Sequence, residues 1–310
     1  MLTIIQTTAE AQAATGEIRA GGTDLHDRYR LGVSDGPIID IHKLDFGGFG
    51  QNADGSLTIG ANVTIDDVGQ NPLIAQGYGA LAKAANGLAT PQIRWAASLG
   101  GSLLQKTRCW YFRHPELPCT KKGNAVCGGR AGHHPNGVIF DRGGCAHPHA
   151  ATLAGALMAY DARVKTTQRE ISIFELYGDG SAHDRDHLLN AGEILTHVIL
   201  PPAVAGEKTA YFRSISRFEA EWPIVECTVR LLVEGDAIAA AGIGVGGVSQ
   251  IPLRLANVEA ALVGQPATQT TLEQAAEVSR EGANPLPQAA WKVDMLVGTL
   301  LTTLEMTLEE

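Results

Sequence analysis

At 310 residues with 45% hydrophobic content and a formal net charge of −9, the chain is long enough to bury two or three cores. Its 24 Lys and Arg against 33 Asp and Glu argue against a nucleic-acid partner, which needs clustered basic residues. No run approaches the roughly 18–20 apolar residues of a membrane-spanning helix, and the N-terminal MLTIIQTTAEAQ lacks the basic-then-apolar order of a signal peptide, so a soluble protein of a reducing compartment is expected.

MLTIIQ reads as a short strand and TTAEAQAAT as a helix capped by Thr7 or Thr8. In RAGGTDLHDRYRLG, residues 19–32, Gly21 and Gly22 allow a turn whose N–H groups converge on an anion, although most such pairs are ordinary tight turns. PIIDIHKL (37–44) is a buried-type strand, and SLTIGANVTIDDV (56–68) suits a strand pair or a strand and turn. Residues 73–89 are helical in pattern. Ser98-Leu99-Gly100-Gly101-Ser102 forms a second glycine turn. Beyond residue 152 come a helix, a strand at Ala162–Thr166 and a second short strand, then a polar stretch (178–190) expected to be a surface loop. GEILTHVILPP (192–202) is a strand ended by prolines, and the GEKTA after it reads as a hinge. Two or three antiparallel strands turning at Glu234–Asp236, a helix from near Arg254 and weakly amphipathic helices complete the chain.

Four of the five cysteines, Cys109, Cys119, Cys127 and Cys145, fall in the loop that follows the second glycine turn, and Cys227 stands apart. Disulfides, zinc and an iron-sulfur cluster each account for such a loop, and a reducing compartment favours the metals. Zinc knuckles pair cysteines about two to four residues apart, whereas these gaps are nine, seven and seventeen residues. The spacing does not match the compact ferredoxin repeat either. His114, His133, His134, His147 and His149 lie in the same loop, so a mixed Cys and His site stays open. Lys106, Arg108, Lys121 and Lys122 either offset the charge of a thiolate cluster or form a solvated basic surface.

Six stretches in order carry a resemblance: AGGTDL (20–25), IDIHKL (39–44), LTIGANVT (57–64), PQIRWAASLGGSL (91–103), GEILTHVILP (192–201) and GIGVGGVSQIPLR (242–254). Over nearly its whole length the chain resembles the FAD-binding medium subunit of the molybdenum hydroxylases, the family of xanthine dehydrogenase and the aldehyde oxidoreductases. About forty residues intervene after the second glycine turn, and in this the chain is similar to the medium subunits of 4-hydroxybenzoyl-CoA reductase and the periplasmic aldehyde oxidoreductases. The resemblance implies an α+β fold: an FAD-binding domain of PCMH type at 1–203, with subdomains 1–54 and 55–203 and an insertion at about 103–148, then a C-terminal domain at 204–310 with an antiparallel sheet and helices. It further implies a 4Fe-4S cluster on Cys109, Cys119, Cys127 and Cys145. FAD would be held by Ala20, Gly21, Gly22, Thr23, Asp24 and Leu25, by Ser98, Gly100, Gly101 and Ser102, and by Leu195 and Arg213 beside the ring. Neither Leu195 nor Arg213 is distinctive by itself, since a core strand residue and a surface charge would read alike.

The chain departs from the family at three points. Ser102 stands where Asn is usual, Trp95 stands where Asn is usual and reads as a core filler, and Ala151-Thr152 replaces a Ser-Asp pair, removing a carboxylate near the flavin. Either Asp141, His147 or His149 takes that place, or FAD is held more loosely. The expected function is an FAD and 4Fe-4S electron-transfer subunit of a heterotrimeric molybdenum enzyme with an aldehyde or aromatic/CoA-ester substrate. Its partners would be a large molybdopterin subunit, a small 2Fe-2S subunit and an external acceptor or donor (protein, quinone, NAD or oxygen). It would be cytoplasmic, or periplasmic if exported with a partner. Two rivals remain: a non-catalytic assembly subunit with structural zinc, and a self-sufficient FAD oxidase of the vanillyl-alcohol or sugar oxidase type.

Overall fold

Three β-sheets organise the chain in a computed structural model that describes residues 1–216 and 220–309. In the first sheet, β1 (Leu2–Ile4), β2 (Glu17–Arg19) and β3 (Ile38–Asp40) lie in the order β1-β3-β2, all parallel. Parallel neighbours need crossovers, and the helices Thr8–Ala13 and Leu25–Arg30 supply them. Thr7 caps the first of these, its hydroxyl accepting from the Glu10 N–H. Ile5, Ile39, Ile41, Leu44 and Phe46 close a small core over this sheet.

The second sheet is antiparallel, with β4 (Phe49–Gln51), β5 (Leu57–Gly60), β6 (Arg163–Thr166), β7 (Glu170–Ser172) and β8 (Leu195–Leu200) in the order β4-β5-β8-β6-β7. Its inner face packs on the helices Gly79–Gly87 and Thr152–Ala159. All eight residues of the latter are buried. A helix apolar on every side needs cover on every side, and the third sheet provides the rest. That sheet consists of β9 (Glu207–Ser214), β10 (Val225–Glu234), β11 (Ala237–Gly246) and β12 (Leu253–Arg254), antiparallel in the order β12-β11-β10-β9. The helices Ala256–Leu262, Gln269–Val278 and Lys292–Glu309 pack with it in a second large core. Among the described residues no helix is long and apolar enough to cross a membrane.

Several expectations change in the folded chain. Residues 61–70 do not continue as strand: Thr64 and Asp67 form a reciprocal capping box, which starts a helix at Ile65–Gln70. The 73–89 helix is two, Pro72–Gly77 and Gly79–Gly87. Pro91–Ala96 is helical, and the second glycine turn is itself a one-turn helix, Leu99–Leu103, capped by Ser98. The GEKTA hinge is taken up by β9 from Glu207 onward. Of the stretch expected to form two or three antiparallel strands, residues 217–219 lie outside the described set. Trp95 is 62% exposed and fills no core gap.

The insertion is fastened to the third sheet and its helices. The Asn284 side chain donates to the Asp141 carbonyl, Ser249 Oγ to the Phe140 carbonyl, and Gln250 Nε2 to the Cys145 carbonyl at 2.7 Å. Lys292, fully buried, donates from Nζ to the Gly137 carbonyl at 3.0 Å and to that of Gly247 at 2.5 Å. Buried carbonyls thus find donors that the irregular backbone cannot supply.

The helix Thr152–Ala159 reaches β11 through glycines. A Cβ at Gly244 would run into the Gly155 carbonyl. Replacing Gly244 by Val should therefore destabilise the protein by about 1–3 kcal/mol through overpacking and lower its thermal midpoint, whereas Val at the open position Gly298, where an added Cβ meets nothing, should not produce that loss. Paired thermal melts check this.

Candidate functional site

The turn after β2 owes its shape to two glycines. A Cβ at Gly21 would collide with the Ala96 carbonyl, and Gly22 holds φ +75°, a region other residues resist. The N–H groups of Gly21, Gly22, Thr23 and Asp24 donate to no acceptor among the described residues. Four successive unpaired N–H groups beside a cavity form a cradle suited to a phosphate. Facing them, Ser98 Oγ accepts from the Gly101 N–H at 3.2 Å, and Gly100 lies so close to Ala61 that a Cβ would stand 2.9 Å from the Ala61 Cβ.

These two glycine segments line a cavity of about 370 Å³ that also holds Ala20, Leu25, Ser98 and Leu195. A second cavity of about 320 Å³ shares Thr23, Asp24, Gly101 and Gln105 with the first and adds Ser102, Thr152 and Arg213. Together they make a trough that runs from the first sheet to the third. All twelve cofactor candidates named from the sequence line one cavity or the other. Ser102 Oγ and Asn62 Oδ1 are buried without a hydrogen-bond partner. Such orphans are costly unless something pairs with them, and both border the trough, so the residues present fit an elongated polar ligand with phosphates near its middle.

Asp24 joins this trough to the cysteine loop. Its carboxylate accepts from Arg113 Nη2 at 2.5 Å, from Arg28 Nε at 3.2 Å and from the Lys106 N–H at 3.2 Å, and it lies 3.3 Å from Arg108 Nη1. Burial opposes ionisation of Asp24, but the Arg108 and Arg113 guanidinia outweigh it and hold its pKa below the ordinary 3.8. Arg108 and Arg113 bracket Cys109.

Three of the four cysteines sit at the start of a helical turn: Cys109 before Trp110–Arg113, Cys119 before Thr120–Lys122 and Cys127 before Gly128–Ala131. Backbone N–H groups therefore point at sulfur, those of Phe112 and Tyr111 at Cys109 and that of Lys121 at Cys119, while the His147 N–H meets Cys145 Sγ at 3.5 Å. The thiols lie within electrostatic reach of one another, Cys109 with Cys119 and Cys127, and Cys145 with Cys109. Burial raises Cys109 and Cys119 and pushes Cys145 up to about 12. Among the described residues no group of three or more His, Cys, Asp or Glu forms a ready-made metal-ion site. The donor set, four thiols with N–H groups directed at three of them, suits thiolates bound to a cluster. Burial also depresses His147 and His149 to about 4 and so keeps them neutral.

Several residues around the site have partners that the sequence did not reveal. Lys121 is not on a solvated basic surface: it is buried in an ion pair with Asp186, and Asp186 belongs to the supposed surface loop 178–190. His187 of that loop lines the first cavity. Asp141 is committed to Arg130 and to the Gln250 side chain. The carboxylate that does reach Thr152 is Glu226 on β10, to which the Thr152 hydroxyl donates.

A family model described as "FAD binding domain in molybdopterin dehydrogenase" matches residues 4–203, and one described as "CO dehydrogenase flavoprotein C-terminal domain" matches residues 210–294. The chain is 29% identical over 254 residues to the FAD-binding subunit of aldehyde oxidoreductase from Escherichia coli strain K12, covering 78% of each. It is 26% identical over 261 residues to the nicotinate dehydrogenase FAD-subunit of Eubacterium barkeri, covering 83% of this chain and 74% of that one. A chain of the carbon monoxide dehydrogenase from Hydrogenophaga pseudoflava shares the fold with a TM-score of 0.77 at 18% identity, over 99% of this chain and 96% of that one.

Because Asp24 neutralises several guanidinia, Asp24→Asn should destabilise the protein by about 3–5 kcal/mol by leaving buried charge uncompensated. The folded pKa lies below the unfolded value, so this stabilisation is complete above about pH 4 and is lost as pH falls through the lowered value. Denaturant titrations at about pH 7 and pH 3 should show the wild-type advantage over the Asn variant shrinking in acid.

Proposed function

This chain belongs to the family of FAD-binding subunits of the molybdopterin dehydrogenases, and we propose that it relays electrons through FAD and a 4Fe-4S cluster held by Cys109, Cys119, Cys127 and Cys145. As in its relatives, FAD is the cofactor of this molybdenum hydroxylase-type subunit. The observation that carries the finer reading is Asp24, which ties the phosphate cradle to the arginines on either side of Cys109.

In this reading the free N–H groups of Gly21, Gly22, Thr23 and Asp24 hold the pyrophosphate, aided by Ala20 and Leu25 and by Ser98, Gly100, Gly101 and Ser102 on the facing segment. Leu195 and Arg213 flank the ring. Bound there, FAD would supply two-electron and one-electron redox chemistry, while the protein contributes position and electrostatics. The chain is organised as an FAD-binding domain at 1–203 and a C-terminal domain at 204–310. Its partners are a large molybdopterin subunit, where an aldehyde, aromatic or CoA-ester substrate reacts, and a small subunit whose 2Fe-2S clusters exchange electrons with this one. An external protein, quinone, NAD or oxygen completes the circuit. The complex is cytoplasmic, or periplasmic if a partner carries the export signal.

Iron, zinc, acid-labile sulfide and flavin per chain, measured on protein purified without air, test this. About four irons with matching sulfide and one FAD are expected. About one zinc without sulfide would instead make the cysteine loop a structural clasp. Cys145→Ala should lose iron and sulfide while FAD remains, and Gly22→Val should lose the flavin, read from the visible spectrum.

A further inference from the structure

Glu226 is a buried carboxyl that the fold has made room for. On β10 it stands opposite Gly246 of β11 and opposite Arg213 of β9. A Cβ at Gly246 would collide with the Glu226 carboxylate, so glycine there leaves the space the acid occupies. Tyr211 Oη donates to Glu226 Oε2 at 2.7 Å, and the Thr152 hydroxyl donates to the same carboxyl. Two of its neighbours, Thr152 and Arg213, line the second cavity of the trough. On its other side Glu226 borders a third cavity of about 230 Å³, with Arg108, His147, His149 and Lys292 among its walls. The group therefore stands between the two cavities.

The geometry points to Glu226 as the carboxyl that serves the second cavity through Thr152 and Arg213, taking up a proton when negative charge is added to a ligand there and releasing it when that charge leaves. This rests on the FAD reading above. The charged and titratable groups facing it are Tyr211 and Arg213 on β9, Cys227 beside it on β10, and Arg108, His147, His149 and Lys292 across the third cavity. Burial drives Glu226 up to about 7, against the lowering effect of the Tyr211 and Thr152 hydrogen bonds and of the Arg213 charge. A carboxyl poised there exchanges its proton at neutral pH, where an ordinary one stays ionised. Charge added nearby raises its pKa further, because a like charge disfavours the anion. In the balanced event the electrons come from an added reductant and stay on the flavin, one proton from solvent accompanies them there, and a second proton from solvent goes to Glu226.

The test is the flavin midpoint potential of the FAD-loaded protein from about pH 5.5 to 8.5, in the wild type and in Glu226→Gln, Glu226→Asp and Tyr211→Phe. In the wild type the potential should fall more steeply above about pH 7, by up to about 30 mV per pH unit, the value of one extra proton per two electrons. Glu226→Gln should lose the extra slope and Glu226→Asp should keep it. Tyr211→Phe, which removes a hydrogen bond to the anion, should move the break to higher pH, and this arm decides the matter if the Gln variant does not fold. Identical slopes in the wild type and the Gln variant, each carrying about one FAD per chain, overturn the assignment to Glu226 and leave the FAD reading standing. A wild-type chain that takes up no FAD overturns both.

Discussion

A single carboxylate, that of Asp24, holds the two halves of this site in register. It belongs to the glycine turn that opens the trough, yet its strongest partners, Arg108 and Arg113, belong to the cysteine loop more than eighty positions away in sequence. Ion pairs of this kind repay the cost of burial only when the remaining hydrogen-bonding capacity is also used. Here the Arg113 guanidinium donates further to the Thr107 and Lys106 carbonyls. The loop is thereby pinned at its entrance, immediately before Cys109.

The same principle recurs at the exit of the loop. An insertion of this length with almost no regular structure leaves many backbone carbonyls to be satisfied. Lys292 and the side chains of Gln250, Ser249 and Asn284, all from the C-terminal third of the chain, accept that task. Lys121 and Asp186 make a buried pair beside Cys145, joining the loop to a stretch that has no other visible reason to be polar and buried. The insertion is therefore held between the trough and the third sheet.

Much of the architecture was written locally. Thr7 marks a helix start because its hydroxyl caps the adjacent N–H, and the alternating apolar residues of LTHVIL mark β8 because one face of that strand is buried. The capping box at Thr64 and Asp67 is equally local, and with it the strand ends at Gly60. The glycine turns and the four clustered thiols could be named as binding candidates because glycine and cysteine at such density have few other causes.

The sequence by itself determined the residue types that can carry the chemistry and the family to which they belong, since those signals lie in short contiguous motifs such as AGGTDL and GIGVGGVSQIPLR. Tertiary structure alone decided what those motifs face. Glu226 meets Thr152, Asp24 meets Arg113 and Asp186 meets Lys121, each pair at least 65 positions apart. A charged residue reads the same in sequence whether solvated or buried, because its protonation and partners are set by the dielectric and the charges that folding places around it.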